Sequence, residues 1–166
     1  MKNVFNVEDA QDFISRIDHL SPSTAPQWGT MTASQMLAHC NVPYEMIYEN
    51  IHPTPNFFKK LIMKLFVKKH VVGHKPYPHN APTAPQFIIK EDKNFDIEKE
   101  RLINYIHKTQ QLGEAHFDQK ESPSFGKLTK TEWNNMLYKH LDHLLSIVFG
   151  INFLLMFLSD ENIKNN

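Results

Sequence analysis

Cysteine is nearly absent from this chain. Cys40 stands alone, so no internal disulfide can form, and a reducing cytoplasm is the expected compartment. No sign of charge prevails: eighteen basic and eighteen acidic residues balance, which removes the general attraction to nucleic acid that a basic chain would have. The N-terminus, MKNVFNVEDAQDF, carries acids early and lacks an apolar centre, so it does not read as a signal peptide. Internal repeats and low-complexity stretches are missing, and strand signals are few. What is present is a length of 166 residues, which fits one domain with a sizeable core, and ten histidines. Histidine is the commonest metal ligand and the usual acid or base near neutrality, but it is also tolerated on surfaces, so the number alone decides little.

The most informative stretch is Thr129 to Phe149, TKTEWNNMLYKHLDHLLSIVF. Thr129 and Glu132 have the T-x-x-E spacing of a capping box, and Leu128 with Trp133 can close a hydrophobic staple over it. Trp133, Leu137, His140, Leu144 and Val148 step by threes and fours and share one helical face, with His143 at its border. Two imidazoles on an apolar stripe need a reason, and a metal ion is the sharpest one.

Three other helices are expected. Asn6 to Leu20 has Asn6 as a candidate cap, Glu8 and Asp9 at its positive end, and an apolar face of Ala10, Phe13, Ile14, Ile17 and Leu20. Met31 to about Ile51 begins with a T-x-x-Q capping box, Thr32 and Gln35, with Met31 and Met36 as the staple. Its inward face carries Met36, His39, Val42 and Met46. Pro43 cannot donate to the His39 carbonyl, so a kink is expected beside that histidine. Phe95 to Leu112 has Asp96 as a candidate cap, a core side of Leu102, Ile103, Ile106 and Leu112, and Gly113 just past its end. His107 and His116 lie near that end, where they favour the negative helix terminus.

Between the second and third of these helices the pattern loosens. FFKKLIMKLFVKKH (57–70) has two readings. In one, a surface helix holds its lysines in water and packs Phe58, Leu61, Ile62, Leu65 and Phe66 inward. In the other, it meets a membrane surface or an anionic ligand. The first is the expectation. Residues 71–86 are proline-rich and irregular, and His70, His74 and His79 are too unevenly spaced around them to mark a metal site. Phe87 to Lys90 reads as a short extended piece, and residues 121–127 as a turn. The fold class expected is all-α, an antiparallel four-helix bundle over residues 1–150 with an irregular proline-rich insertion. Residues 151–166 form an atypical tail. No charged residue occurs from Leu144 to Leu158, but the run is shorter than the roughly 20 residues of a membrane span, so it reads as an apolar helix packing on the bundle or a second subunit.

WGTMTASQMLAHC (28–40) and SFGKLTKTEWNNMLYKHLDH (124–143), with a weaker match at PTAPQFIIKEDKNFDIEKERL (82–102), resemble an uncharacterised branch of the DinB-like, or YfiT-like, superfamily of metal-dependent hydrolases. The resemblance covers most of the chain, about residues 5 to 150. It implies a four-helix bundle holding a divalent metal, zinc or nickel, on three histidines, one from the second helix and two from an H-x-x-x-H pair on the fourth. His39 and His140 match the first two positions. Leu144 stands at the third, and His143 matches the histidine between. The candidate ligands are therefore His39, His140 and His143. The alternative is that His39 and His140 are structural, hydrogen-bonded to each other or to Gln35 or Tyr138. By the resemblance, the activity is metal-dependent hydrolysis or thiol-dependent transfer, on a small-molecule substrate with or without a low-molecular-weight thiol. No carboxylate stands out as a general base, and Cys40 points about 100° away from His39, as a packed thiol. The second function class is a metal-free bundle used for binding or homodimerisation. Nucleic acid and membrane are not expected partners.

Overall fold

A computed structural model describes residues 1–49, 51–78 and 83–151, so the expected tail from residue 152 onward lies outside the described residues, as does His79. The described chain is mostly helical, with one small antiparallel hairpin. Helix α1 spans Val7–Asp18 and α2 Ala33–Tyr48. Helix α3, Phe57–Ile62, runs through a π-helical turn at Met63–Val67 into α4, Lys68–Val72. Helix α5, Phe95–Phe117, precedes strands β1, Glu121–Ser122, and β2, Gly126–Lys127. Helix α6, Lys130–Asp142, continues as a π-helical turn, His143–Val148.

Local chemistry sets where the helices that carry His39 and His140 begin. Both capping boxes form: Thr32 with Gln35 on α2, and Thr129 with Glu132 on α6. Each satisfies two backbone donors that would otherwise be orphaned, a contribution of about 1 kcal/mol. Two other caps differ from expectation. Asn6 occupies the cap position of α1, but its side chain makes no capping bond. On α5 the cap is Asn94, whose side chain accepts from the Ile97 N–H, while Asp96 sits in the first turn. Asp96 lies two residues too far into the chain to cap a helix that starts at Phe95. The break at Gly113 is as read: φ of +68° interrupts the helix there, and one further turn leads to Phe117.

Helix α5 is the central packing partner. Helices α1, α2 and α6 all contact it, α2 also meets α6, and α4 lies on α6. The α2–α5 seam joins stacked Tyr44 and Tyr105 rings, 5.5 Å apart, to fully buried Asn41, which donates to the Glu98 carbonyl and carboxylate. One continuous core results, with Phe13, Ile17, Met36, Leu37, Leu102, Phe117, Trp133 and Leu137 nearly or wholly enclosed. Each such side chain contributes about 1.5–3 kcal/mol of transfer free energy. Pro43 sits inside α2, which remains helical from Ala33 to Tyr48.

Three expectations are corrected. Residues 57–67 do not pack their apolar side chains inward: Phe58, Leu61, Ile62, Leu65 and Phe66 are all exposed, and only Met63 of that stretch packs against the core. Ion pairs Lys60–Glu121 and Lys68–Glu132 tie the segment's polar side to the body, so its apolar side faces outward. The extended piece expected at Phe87 to Lys90 loses its first residue to a 3-10 turn, Pro85–Phe87, closed by the Ile88 N–H on the Pro85 carbonyl, while Ile88 itself is extended. The stretch 121–127 is a two-stranded hairpin, with Gly126 at φ +73° and Glu121 paired to Lys127. Among the described residues, no helix is long and apolar enough to cross a membrane.

Candidate metal centre

His39 lies in the middle of α2, buried, on the side facing α6 and the 3-10 turn. Its Nδ1 is 2.8 Å from the Phe87 carbonyl oxygen, and a carbonyl only accepts, so Nδ1 carries the proton and donates. That assigns the tautomer and leaves Nε2 as the lone-pair nitrogen, the arrangement that outer-sphere partners impose on metal-binding histidines. Phe87 also sets its ring against both histidines, at 5.4 Å from His39 and 5.7 Å from His140.

His140, on the last turn of α6, stacks on His39 with ring centroids 5.0 Å apart and planes 23° from parallel. Protein crowds closely around it, yet the residue keeps part of its surface accessible. Among the described residues its ring nitrogens accept or donate no hydrogen bond. The structural alternative named Gln35 and Tyr138 as partners. Gln35 is engaged in the capping box and Tyr138 packs edge-on to Phe13, so neither fills that role.

His143 begins the π-helical turn, framed by Trp28 at 5.8 Å and Tyr77 at 5.7 Å, both edge-on. It is close enough for its charge to act on both other histidines. Burial holds the His39 ring below the ordinary histidine range, against the raising effect of the Phe87 carbonyl, and His143 adds a smaller lowering. Burial likewise holds His140 well below that range, followed by the neighbouring charges of His39 and His143. For His140 all three causes favour the neutral imidazole, and for His39 burial outweighs the Phe87 carbonyl, so both rings tend to the ligating form.

The position that the resemblance assigns to a third ligand, Leu144, is in the core at 4% exposure. Among the described residues, no three His, Cys, Asp or Glu side chains are already gathered tightly enough to hold an ion. The chemistry of the donors nevertheless fits in part. A tetrahedral ion with Zn–N bonds of 2.0–2.1 Å needs donor nitrogens roughly 3.4 Å apart. The His39 and His140 rings, 5.0 Å apart and 23° from parallel, bring two donors side by side, and the rings would have to turn for their in-plane lone pairs to meet at one ion. His143 sits on the π-helical turn that follows the helix. Cys40 is fully buried, and burial pushes its thiol up, so it is a packing group beside Met36.

Sequence reasoning missed the groups that position these rings. Phe87 supplies the carbonyl that orients His39, from 48 residues away. Arg16, 4% exposed, ties α1 to the π-helical turn: Nη1 donates to Asp142 at 3.1 Å, Nη2 to Ser146 Oγ at 2.6 Å and Nε to the Ile151 carbonyl at 3.0 Å. The signal for Arg16 was a basic residue among the apolar positions Phe13, Ile14 and Ile17 of α1. Lys139, 5% exposed, donates to the carbonyls of His70, Val71 and Gly73 and so holds the end of α4 against α6. Comparison with curated proteins and with solved structures returns no match. A family model described as a protein of unknown function matches residues 2–149, and the chain belongs to that family, DUF1569.

Proposed function

We propose that this chain is a DinB-like four-helix bundle, built from α1, α2, α5 and α6, that holds a divalent metal ion, zinc or nickel, on His39, His140 and His143. The activity proposed is hydrolysis, or transfer dependent on a low-molecular-weight thiol, with a small-molecule substrate. The observation that carries this reading is the stacked His39–His140 pair: two neutral imidazoles from separate helices, one with its tautomer set by the Phe87 carbonyl and the other without a hydrogen-bonded partner among the described residues. The His140 ring, partly accessible and without a hydrogen-bonded partner among the described residues, leaves a nitrogen that a metal ion could take up. Such an ion, when bound, lowers the pKa of a coordinated water and polarises a substrate oxygen. The chain's own contributions are to hold both rings neutral, to exclude water with Phe87 and to orient His39 through its Nδ1–H.

A second reading is favoured by one observation. Leu144 occupies the core at the position where the resemblance implies a ligand, which fits a metal-free bundle acting as a binding or dimerisation module. Elemental analysis after expression in zinc- or nickel-supplemented medium separates the two. The metal reading expects one ion per chain, a melting temperature that falls with EDTA, and loss of both in His39→Ala. No metal in the supplemented protein removes it.

A further inference from the structure

Between Glu49 and Glu91 the chain contains no acidic residue, yet it carries Lys59, Lys60, Lys64, Lys68, Lys69, Lys75 and Lys90, in a protein whose total charge is zero. The segment is therefore locally basic, and it is also where the large apolar side chains are least covered. Phe57 is 76% exposed, Phe58 74%, Phe66 70% and Leu65 64%, with Ile62 and Leu61 also exposed. At helical spacing these six fall on one broad face, away from the body, while Met63, Lys60 and Lys68 form the side that attaches. Lys59, Lys64 and Lys69 make no ion pair among the described residues. Beside the stripe lies an open depression of about 370 Å³ whose lining includes Lys64, Lys68, Lys69, His74 and Asn135.

We propose that residues 57–69 dock the protein on an anionic membrane surface: the Phe57, Phe58, Leu61, Ile62, Leu65 and Phe66 stripe enters the headgroup–acyl boundary, and Lys59, Lys64 and Lys69 meet lipid phosphates. An amphipathic helix with aromatic and aliphatic residues on one side and lysines on the other is the form that lies in such an interface. A cluster of exposed apolar residues of this size is not left to water without a partner. A second copy of the chain is the poorer occupant. A two-fold contact through this face would set lysines against the same lysines with no acid in the segment to relieve them. The proposal is independent of the metal centre, which lies at the opposite end of α6 from the Lys68–Glu132 attachment.

The test is flotation of the full chain with vesicles of phosphatidylcholine alone or with about a third phosphatidylglycerol, at low and high salt. The parent should float with the anionic vesicles, and salt should weaken it. Phe58→Ser/Phe66→Ser and Lys59→Glu/Lys64→Glu/Lys69→Glu should each lower binding by about tenfold or more. Both change exposed side chains, so their melting temperatures should match the parent's. A parent that stays with the unbound fraction overturns the proposal. So does a Phe58→Ser/Phe66→Ser variant that floats as well as the parent, since another segment would then carry the binding. A dimeric parent that this variant converts to a monomer overturns it as well, by giving the stripe to a second copy.

Discussion

The rings of His39 and His140 lie 5.0 Å apart, centroid to centroid, although 101 positions separate them along the chain and neither hydrogen-bonds the other. Two neutral polar rings packed face to face gain less from each other than from water. Their juxtaposition is therefore a cost that the rest of the core supports, and it has measurable consequences.

The first is in pH. Burial holds both rings below the ordinary histidine value of about 6.5, so the unfolded chain takes up protons before the folded one does. The stability that depends on these neutral rings is fully present above pH 6.5 and is lost as pH falls below it toward their folded values. In metal-free protein each ring adds a slope of up to about 1.4 kcal/mol per pH unit in that window. Urea denaturation at pH 7, 6 and 5 measures it, and His140→Phe should remove roughly half of the slope.

The same substitution tests why His140 is there. An imidazole kept for structure would lose stability on replacement. One kept for ligation leaves a partnerless polar ring, and exchanging it for phenylalanine should leave the metal-free melting temperature unchanged or raise it by a few degrees. Metal binding should vanish in the same variant. Differential scanning calorimetry with and without added zinc reads both outcomes.

Arg16 links the first helix to the turn that carries His143. Removing it in Arg16→Met leaves the buried Asp12 carboxylate with Lys2 alone and frees the Ser146 and Ile151 contacts. Breaking a buried charge network of this kind costs about 3 kcal/mol. Metal affinity should fall about tenfold or more as well, because the turn bearing His143 loses its anchor. Titration calorimetry with nickel, run on protein still folded by circular dichroism, separates the affinity loss from the stability loss.

Lys139 joins α6 to the end of α4 through three carbonyl oxygens, although burial pulls its ammonium down to about 8. At that value the ammonium still holds its proton at neutral pH, and the three carbonyl oxygens accept from the charged form. Lys139→Met should cost about 2 kcal/mol by leaving those acceptors without a donor. Limited proteolysis should then cut first between α4 and α5, where the lost bonds had secured the chain.

Much of this was legible from local pattern. Thr32 with Gln35 and Thr129 with Glu132 lie three residues apart, and a contact that short needs no fold around it, so both caps could be read directly. Gly113 similarly marked a helix end through its own backbone freedom. The orientation of residues 57–67 was misread because periodicity identifies an apolar face without saying which way it turns. Ion pairs to Glu121 and Glu132, more than fifty residues on, turned it outward.

The sequence alone determined the main helices, the two capping boxes and the fact that His39 and His140 sit on apolar faces, because these follow from spacings of three and four residues. Tertiary structure alone decided that the two faces meet, that the Phe87 carbonyl orients one ring, and that Arg16 secures the turn holding His143. Those contacts span 48 to 135 positions, and only the packing of α1, α2 and α6 around α5 brings such partners within reach.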